Sequence, residues 1–560
     1  MPEISGVHIG APLGAVAPSG ANRLWDDGRP EFYAPASDTR LASVRIGTRA
    51  SGQPTPEAFA PRAGRRAGAF SDDFYHRIYL QPERLDFGNV VTQTTRSVEV
   101  WNAYPQAVTI DALDGDLEGL AVGFLPPKRL RALEWVAYPV TATLDGASFV
   151  DTLLTLHFSL GGTRTVAISY GRVLVFAFAP NWASGFTERL EWATDLLTLR
   201  DGAEQRVRLR TWPRRALAFE VWEHGADYGH LDLLLAAWQS RAYAVPLWPD
   251  KAVLPAPLAA GTREVVVDTA HRDYHTGGLA VIGSGARRTE AVEIETVAAD
   301  RLTLRRPVAA DWPAGSWIVP ARLGRLGARQ SVTRPTAAFS HARMVFQLDD
   351  LATTTAPVAS PTYRGYEVLV RRPDRSEDVS AQYQRLVDLF DNDTGVPAVT
   401  DIPNRPFVVR GFQFLLTDRA EIAALRAWLD ARAGRQVPFW IPTWERNLEV
   451  AAPISIDEIA VLVEDRGFAT YFQGLPGRQD VAFLHRDGTW YFRHIQAFEY
   501  AGGVVERLVL DEALGRACQP EDFALVCFLE LARLEADVVE IFFETDSLAR
   551  VSLAVRSISQ

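Results

Sequence analysis

The sequence predicts a mainly β chain: a small sandwich followed by two tandem copies of one unit in which a single helix flanks β-structure. Three observations carry this expectation. The same signals recur in the same order over residues 172 to 350 and 366 to 558. Short runs alternate apolar and polar residues, as in Leu154, Leu156, Phe158 and Leu160 against Thr155, His157 and Ser159. Helical spacing occurs once per copy, at Leu231, Leu234, Leu235 and Trp238 and at Ile422, Leu425, Trp428 and Leu429.

The matched signals run as follows. Val173-Leu174-Val175 with Pro180 answers Val368-Leu369-Val370 with Pro373, and Arg189-Leu190 answers Arg385-Leu386. Pro213-Arg214-Arg215 answers Pro403-Asn404-Arg405. Each copy then carries its helix, with Trp238 or Trp428, and a Val-Pro-x-Trp strand: Val245-Pro246-Leu247-Trp248 or Val437-Pro438-Phe439-Trp440. Arg301-Leu302-Thr303-Leu304 matches Arg507-Leu508-Val509-Leu510, and Ala321-Arg322-Leu323 matches Ala532-Arg533-Leu534. The repeated anchors are thus Trp238, Pro246 and Trp248 in one copy and Trp428, Pro438 and Trp440 in the other. A fused duplication is a common way for a chain to halve the rotational symmetry of a ring.

Composition sets the bounds. A length of 560 residues allows roughly three or four domains. With 47% hydrophobic and 23% charged residues, the chain is expected to be soluble and globular. No apolar run approaches a membrane span, and Met1-Pro2-Glu3-Ile4 lacks the basic and apolar regions of a secretory signal, so no membrane anchor is expected. The two cysteines, Cys518 and Cys527, are too few for a disulfide scaffold and read as reduced core residues. A net charge of −11 argues against a duplex-binding protein, whose affinity comes from neutralising phosphates.

In chain order, residues 1–70 are rich in Ala, Gly, Pro, Ser and Arg without sustained period, and are expected to be disordered or an arm that lies on a neighbour through Trp25, Phe32 and Tyr33. Residues 71–171 read as a sandwich, with turn signals at Asp114-Gly115 and Gly161-Gly162. Residues 172–350 and 366–560 are the two copies, joined by a linker at 351–365. The second helix opens at Asp418-Arg419-Ala420-Glu421, an acidic cap with a glutamate three residues on.

Two resemblances follow from these residues. Leu80 to Val90, with Ser97-Val98-Glu99-Val100-Trp101-Asn102, resembles the opening of Hydin-type immunoglobulin-like domains, which implies a spacer or docking module and no catalytic residue. Arg206 to Arg215, the Leu231 to Trp238 helix and Val245 to Asp250 resemble the distal-tail and baseplate proteins of long-tailed bacteriophages and gene transfer agents. That family implies a tail-tube fold, a β-sandwich or small barrel with one flanking helix, assembled as a ring around the DNA channel. Its simplest members carry one such domain per chain and form hexamers, so a duplicated chain implies a homotrimer, with a hexamer as the alternative. Partners would be tail-tube and tail-tip or hub proteins, and DNA would be only transiting cargo.

Other constellations read as structural. His271-Arg272-Asp273-Tyr274-His275 alternates two histidines and an aspartate, which on one strand could hold a metal, but Thr276-Gly277-Gly278 beside it favours a polar loop. His224 and His230 bracket a glycine-containing turn and read as loop residues. Gly283-Ser284-Gly285-Ala286 lacks the strand-to-helix context of a phosphate loop, and Asp349-Asp350 and Glu521-Asp522 read as solvated acids. No catalytic, cofactor or metal site is expected, and no nucleophile elbow or metalloprotease motif occurs. Trp238 and Trp428 are assigned to the core, and Trp182, Trp312 and Trp444 to possible partner contacts. The expected function is a structural virion protein of a phage tail tip, assembled in the host cytoplasm. The alternative is a carbohydrate- or receptor-binding tail protein using the immunoglobulin-like domain, and a surface-acting hydrolase comes third.

Overall fold

The structure, a computed structural model, describes residues 74–90, 93–143, 149–349, 360–475 and 477–558. The expected arm, with Trp25, Phe32 and Tyr33, lies outside them, as does most of the 351–365 linker. The chain is mainly β and divides into two compact units, Met1–Arg172 and Val173–Gln560.

The first unit is built from two sheets. One pairs Ile78–Gln81, Thr94–Asn102, Trp135–Ala142 and Leu120–Val122; the other orders Arg84–Val90, Gly162–Arg172, Phe149–Phe158, Val108–Asp114 and Lys128–Leu130. Alternation places Leu154, Leu156 and Phe158 in a core shared with Val98, Val100 and Val140 of the facing sheet. Leu160, expected on the same face, falls beyond the strand end in the Gly161-Gly162 turn and is exposed.

In the second unit, apart from two-residue strands, the first copy runs β1 (Phe186–Glu191), β2 (Thr194–Thr198), β3 (Glu204–Arg208), β4 (Arg214–His224), helix α1 (Gly225–Ala237) and β5 (Ala242–Pro246). It continues with β6 (Glu264–Val266), β7 (Leu279–Gly285), β8 (Arg288–Ala298), β9 (Arg301–Leu304), β10 (Trp317–Leu326), β11 (Val332–Thr336) and β12 (Phe339–Leu348). The second copy runs β13 (Ser380–Gln384), β14 (Val387–Phe390), β15 (Ala398–Asp401), β16 (Phe407–Leu416), helix α2 (Arg419–Arg432) and β17 (Phe439–Pro442). It continues with β18 (Ala460–Glu464), β19 (Asp480–His485), β20 (Trp490–Gly502), β21 (Val505–Leu510), β22 (Phe523–Leu534), β23 (Val538–Phe543) and β24 (Ala549–Ser557).

The duplication holds strand by strand. In the first copy the antiparallel partners are β1–β4, β2–β3, β4–β12, β5–β10, β6–β9, β7–β8, β7–β10, β8–β9, β10–β12 and β11–β12. Every one of these pairings recurs in the second copy, twelve strands later. Even the irregularity in β8 between Ile294 and Thr296 recurs in β20 between Ile495 and Ala497.

The ladders also correct the sequence match. Val265 lies opposite Leu302 and Val461 opposite Leu508, so the Arg301 and Arg507 motifs do align. The Val-Pro-x-Trp strand does not. Pro246 closes β5 and Pro442 closes β17, so Ile441-Pro442-Thr443-Trp444 is the true counterpart of Val245-Pro246-Leu247-Trp248. Pro438 precedes the strand and Trp440 lies within it. The second copy contains two Pro-x-Trp segments four residues apart, and only strand pairing distinguishes them. Likewise Leu326 faces Phe346 and Leu534 faces Val555, which sets Arg533 beside Arg325 and not Arg322.

The first helix begins at Gly225, six residues before its apolar stripe, so His224 ends a strand and His230 is helical; neither is a loop residue. Leu231, Leu234 and Trp238 are buried with Leu235 packed beside them, and α2 buries Ile422, Leu425, Trp428 and Leu429. Asp418 caps α2 by accepting from Glu421 N, while the Glu421 carboxylate accepts from Thr417 N.

One apolar core runs through the main sandwiches of both copies, from Phe176 and Phe219 through Phe346 to Phe412, Phe439 and Val555. Each copy also closes a small separate core, around Val265, Ile282, Ile294, Leu302 and Trp312 in the first and around Val461, Phe483, Ile495, Leu508 and Phe528 in the second. The expectation of one β-unit with one helix therefore lacked this inserted subdomain.

Candidate assembly interface

Among the described residues, one added strand pairing stitches the two copies together. β1 of the first copy lies antiparallel to β23 of the second, from Phe186 opposite Phe543 to Glu191 opposite Val538. Alternate side chains of both strands are buried, so the joint continues the core. Phe186 stacks on Phe219 at 5.3 Å and meets Phe543 edge-on at 6.0 Å.

Beneath this ladder lies a buried ion cluster. Arg215 donates to Glu188 at 2.6 Å, and Arg426, reaching across from α2, donates to the other Glu188 oxygen at 2.6 Å. Arg215 also donates to Asp273 at 2.8 Å, where Arg322 adds a 2.5 Å bond. Arg426 extends to Asp250 at 3.3 Å, and Arg419 of α2 donates to the Pro249 carbonyl at 2.7 Å. Burial pushes the Glu188 carboxyl upward, but the Arg426 and Arg215 charges outweigh it and hold the group below its ordinary value. Asp273 behaves alike: burial is opposed and outweighed by Arg215 and Arg322. Such a cluster is worth most as a registry key, because Glu188 and Asp250 of the first copy gain Arg426 and Arg419 as partners only in this docking.

Asp273 therefore has a different role from the one its polar-loop setting suggested. His271-Arg272-Asp273-Tyr274-His275 does form a loop between β6 and β7, yet it turns Asp273 inward onto two arginines and buries Tyr274. Among the described residues, no group of three or more His, Cys, Asp and Glu side chains is placed to hold a metal.

A second set of contacts ties the β2–β3 hairpin to the second copy. Thr194 donates to Asp537 through both its backbone N and Oγ1 at 2.8 Å, and Arg435 donates to the same carboxylate at 3.1 Å. Glu204 accepts a fork of two 2.8 Å bonds from Arg533. At Gly202, φ is +82° and a side chain would run into the Phe407 ring, so this tight hairpin turn requires glycine.

Beside the ion cluster, a cavity of about 260 Å³ is lined by Glu188, Arg215, Asp273, Arg426 and Asp430. Burial raises the Asp430 carboxyl to about 6 from 3.8. A carboxyl raised on folding binds its proton more tightly in the folded state, so it lowers stability as pH climbs from about 4 to about 6 and keeps that cost above. Asp430→Asn should therefore raise the unfolding free energy by about 1–2 kcal/mol near neutral pH, after discounting for partial exposure, and change nothing near pH 4. Thermal melts of both proteins at the two pH values check this.

The aromatic side chains assigned from sequence fall as follows. Trp238, Trp248, Trp428 and Trp440 are buried. Of the three tryptophans assigned to partner contacts, Trp312 and Trp444 are in the interior instead. Trp312 fills the first inserted core, with Nε1 donating to Glu290 at 3.0 Å, and Trp444 packs edge-on against Trp490 at 5.5 Å. Trp312 is held by an antiparallel bridge to Leu258 and Trp444 lies two residues past β17, placements that chain position alone does not reveal. Trp182 is half-buried against the main core. In the first unit, Trp101 stacks on Tyr79 and both are buried with Phe74. Cys518 and Cys527 are free and buried, and burial pushes the Cys527 thiol up to about 12. Asp349 pairs with Arg325 at 2.7 Å, and Asp522 caps Gln519 N at 2.7 Å. Among the described residues, no helix is long and apolar enough to cross a membrane.

Sequence analysis missed the residues that form the joint: Glu188, Arg426, Asp250, Asp537 and Glu204. A glutamate alternating with apolar Phe186 and Leu190 on one strand face was the available signal for Glu188.

No family model and no curated protein matches this chain. Among solved structures, a secreted serine protease, VesC from Vibrio cholerae, aligns at 9% identity over 45% of this chain and 52% of its own, with a TM-score of 0.16. At that score the likeness carries no argument about fold or activity.

Proposed function

We propose that the chain is a structural, non-enzymatic protein of the tail tip or baseplate of a long, non-contractile-tailed phage. Its two tail-tube-like copies form part of a ring around the DNA channel, and a Hydin-type immunoglobulin-like domain precedes them. The ring is a homotrimer with pseudo-six-fold symmetry, hexamer being the alternative, and it connects the tail tube to tip and fibre proteins. One observation carries the reading: two units that match strand for strand are joined along their edges by β1 and β23, in a head-to-tail sense that can be repeated by further copies. The acidic balance of the chain, −11 overall, suits a wall along which DNA slides without binding.

Disrupting the gene in the producing phage or transfer agent tests this. Particles should arrest as heads and tails lacking a complete tip, and a plasmid copy should restore them. Complete infectious particles without the chain would refute the proposal.

A further inference from the structure

The edges left open by the internal joint are complementary to each other. β23 is the second copy's counterpart of β11, and β1 is the first copy's counterpart of β13. Within one chain β1 meets β23, while β11 pairs with β12 alone and β13 with β16 alone among the described residues. Their burial reflects this. β1 and β23 alternate buried and open positions, whereas β13 is exposed along its whole length and β11 is exposed apart from the half-buried Val332. An open strand edge is a template for pairing.

We propose that β11 of one chain pairs antiparallel with β13 of a second copy, repeating the internal joint and closing a head-to-tail ring. This rests on the ring-building reading above. The register follows from the ladders. Thr187 lies opposite Ala218 and Ser380 opposite Gly411, and these two partners hold equivalent places, opposite Val345 and Ala554. Phe542 lies opposite Arg550 and Thr333 opposite His341, again equivalent places. The internal pair Thr187 and Phe542 therefore becomes Ser380 facing Thr333 between chains, and Glu188 with Ile541 becomes Ala381 facing Val332. Val332 and Val379, the latter just ahead of β13, already pack partly on the main core and would be sealed by the joint.

Charge complements shape. Residues 322–336 leading into and through β11 contain no acid and three surface arginines, Arg329 together with Arg325 and Arg334, which hold Asp349 and Asp232 of the same chain. The β14–β15 hairpin, counterpart of the hairpin that grips the second copy internally, carries the exposed Asp391 and Asp393 beside exposed Leu389, Phe390 and Val399, while its Asp388 and Asp401 pair with Arg200 and Arg385 of the same chain. A second copy thus offers acids and apolar side chains where this chain offers arginines and a bare edge. The joint is weaker than the internal one. Ala381 stands in the place of Glu188, so no buried ion cluster forms, and Pro335 has no N–H to extend the ladder. Assembly is accordingly reversible and sensitive to salt.

The test is a full-length Thr333→Cys, Ser380→Cys protein, oxidised mildly at low salt. Directly facing strand positions link readily, so a covalent closed ring with no free engineered thiols is expected, and an offset Thr333→Cys, Gln382→Cys control should link about tenfold less. The buried Cys518 and Cys527 stay out of the reaction. Persistent monomer, self-paired dimers, or equal linking in the control would overturn the proposal. Hydrogen exchange on the unmodified chain gives an independent reading: amides at 330–333 and 380–383 should gain protection as concentration rises, and no gain would count against it. Failure here, with the chain still found at tail tips, would leave the tail-tip reading standing; a linked ring absent from particles would do the reverse.

Discussion

Glu188→Ala destabilises the second unit by about 3–5 kcal/mol, because it leaves Arg215 and Arg426 buried and facing each other without the carboxylate between them. Glu188 is 1% exposed, so solvent cannot replace the lost partner. Arg426→Ala is expected to cost a comparable amount and to uncouple α2 from the first copy, since it also breaks the bond to Asp250. The effect should change little with salt, because the pair is shielded from ions. The pH dependence follows from the depressed carboxyl. Its stabilisation is fully present above the unfolded-state value near pH 4 and is lost as pH falls through the folded value, so wild type and variant should converge in acid. Urea denaturation at several pH values measures all of this. A Glu188→Ala protein with wild-type stability near neutral pH would show that the cluster does not hold the copies together.

Trp238→Ala and Trp428→Ala are each expected to cost about 3–5 kcal/mol, as deletion of a buried aromatic does. Both rings are enclosed and covered by an arginine, Arg241 over Trp238 at 5.2 Å and Arg432 over Trp428 at 5.4 Å. Phenylalanine separates the two sites. Nε1 of Trp238 donates to the Ala242 carbonyl at 2.9 Å, while Nε1 of Trp428 has no partner among the described residues. Trp238→Phe therefore strands an acceptor and should cost more than Trp428→Phe, by about 1 kcal/mol. Because one apolar core runs through both copies, either alanine variant should lower a single shared melting transition. Calorimetry resolves this; normal melting of either variant would place its ring outside the core.

The sequence disclosed what periodicity and local chemistry can carry. The duplication, the alternating strands, the two helical stripes and the Asp418 cap depend on residues within one turn or one strand of each other. Register was less legible. Two Pro-x-Trp segments in the second copy are equivalent as text, and only the ladder that opposes Pro246 to Ala321 and Pro442 to Leu529 selects between them. The joint was legible least of all. Glu188 and Arg426 are 238 residues apart, and neither differs from a surface charge until β1 and β23 pair. That Asp273 turns inward from its loop is hidden for the same reason, its two arginines arriving from distant strands. Trp312 and Trp444 read as outward because they lie near strand ends, yet Trp312 is enclosed by an inserted core that has no separate sequence boundary and Trp444 by the main core.

Imaging purified particles with an electron-dense label on this chain tests the central claim most directly. The account predicts label confined to the distal end of the tail, arranged as a ring on the tail axis. Label on the head, along the whole tail, or absent from particles would contradict it.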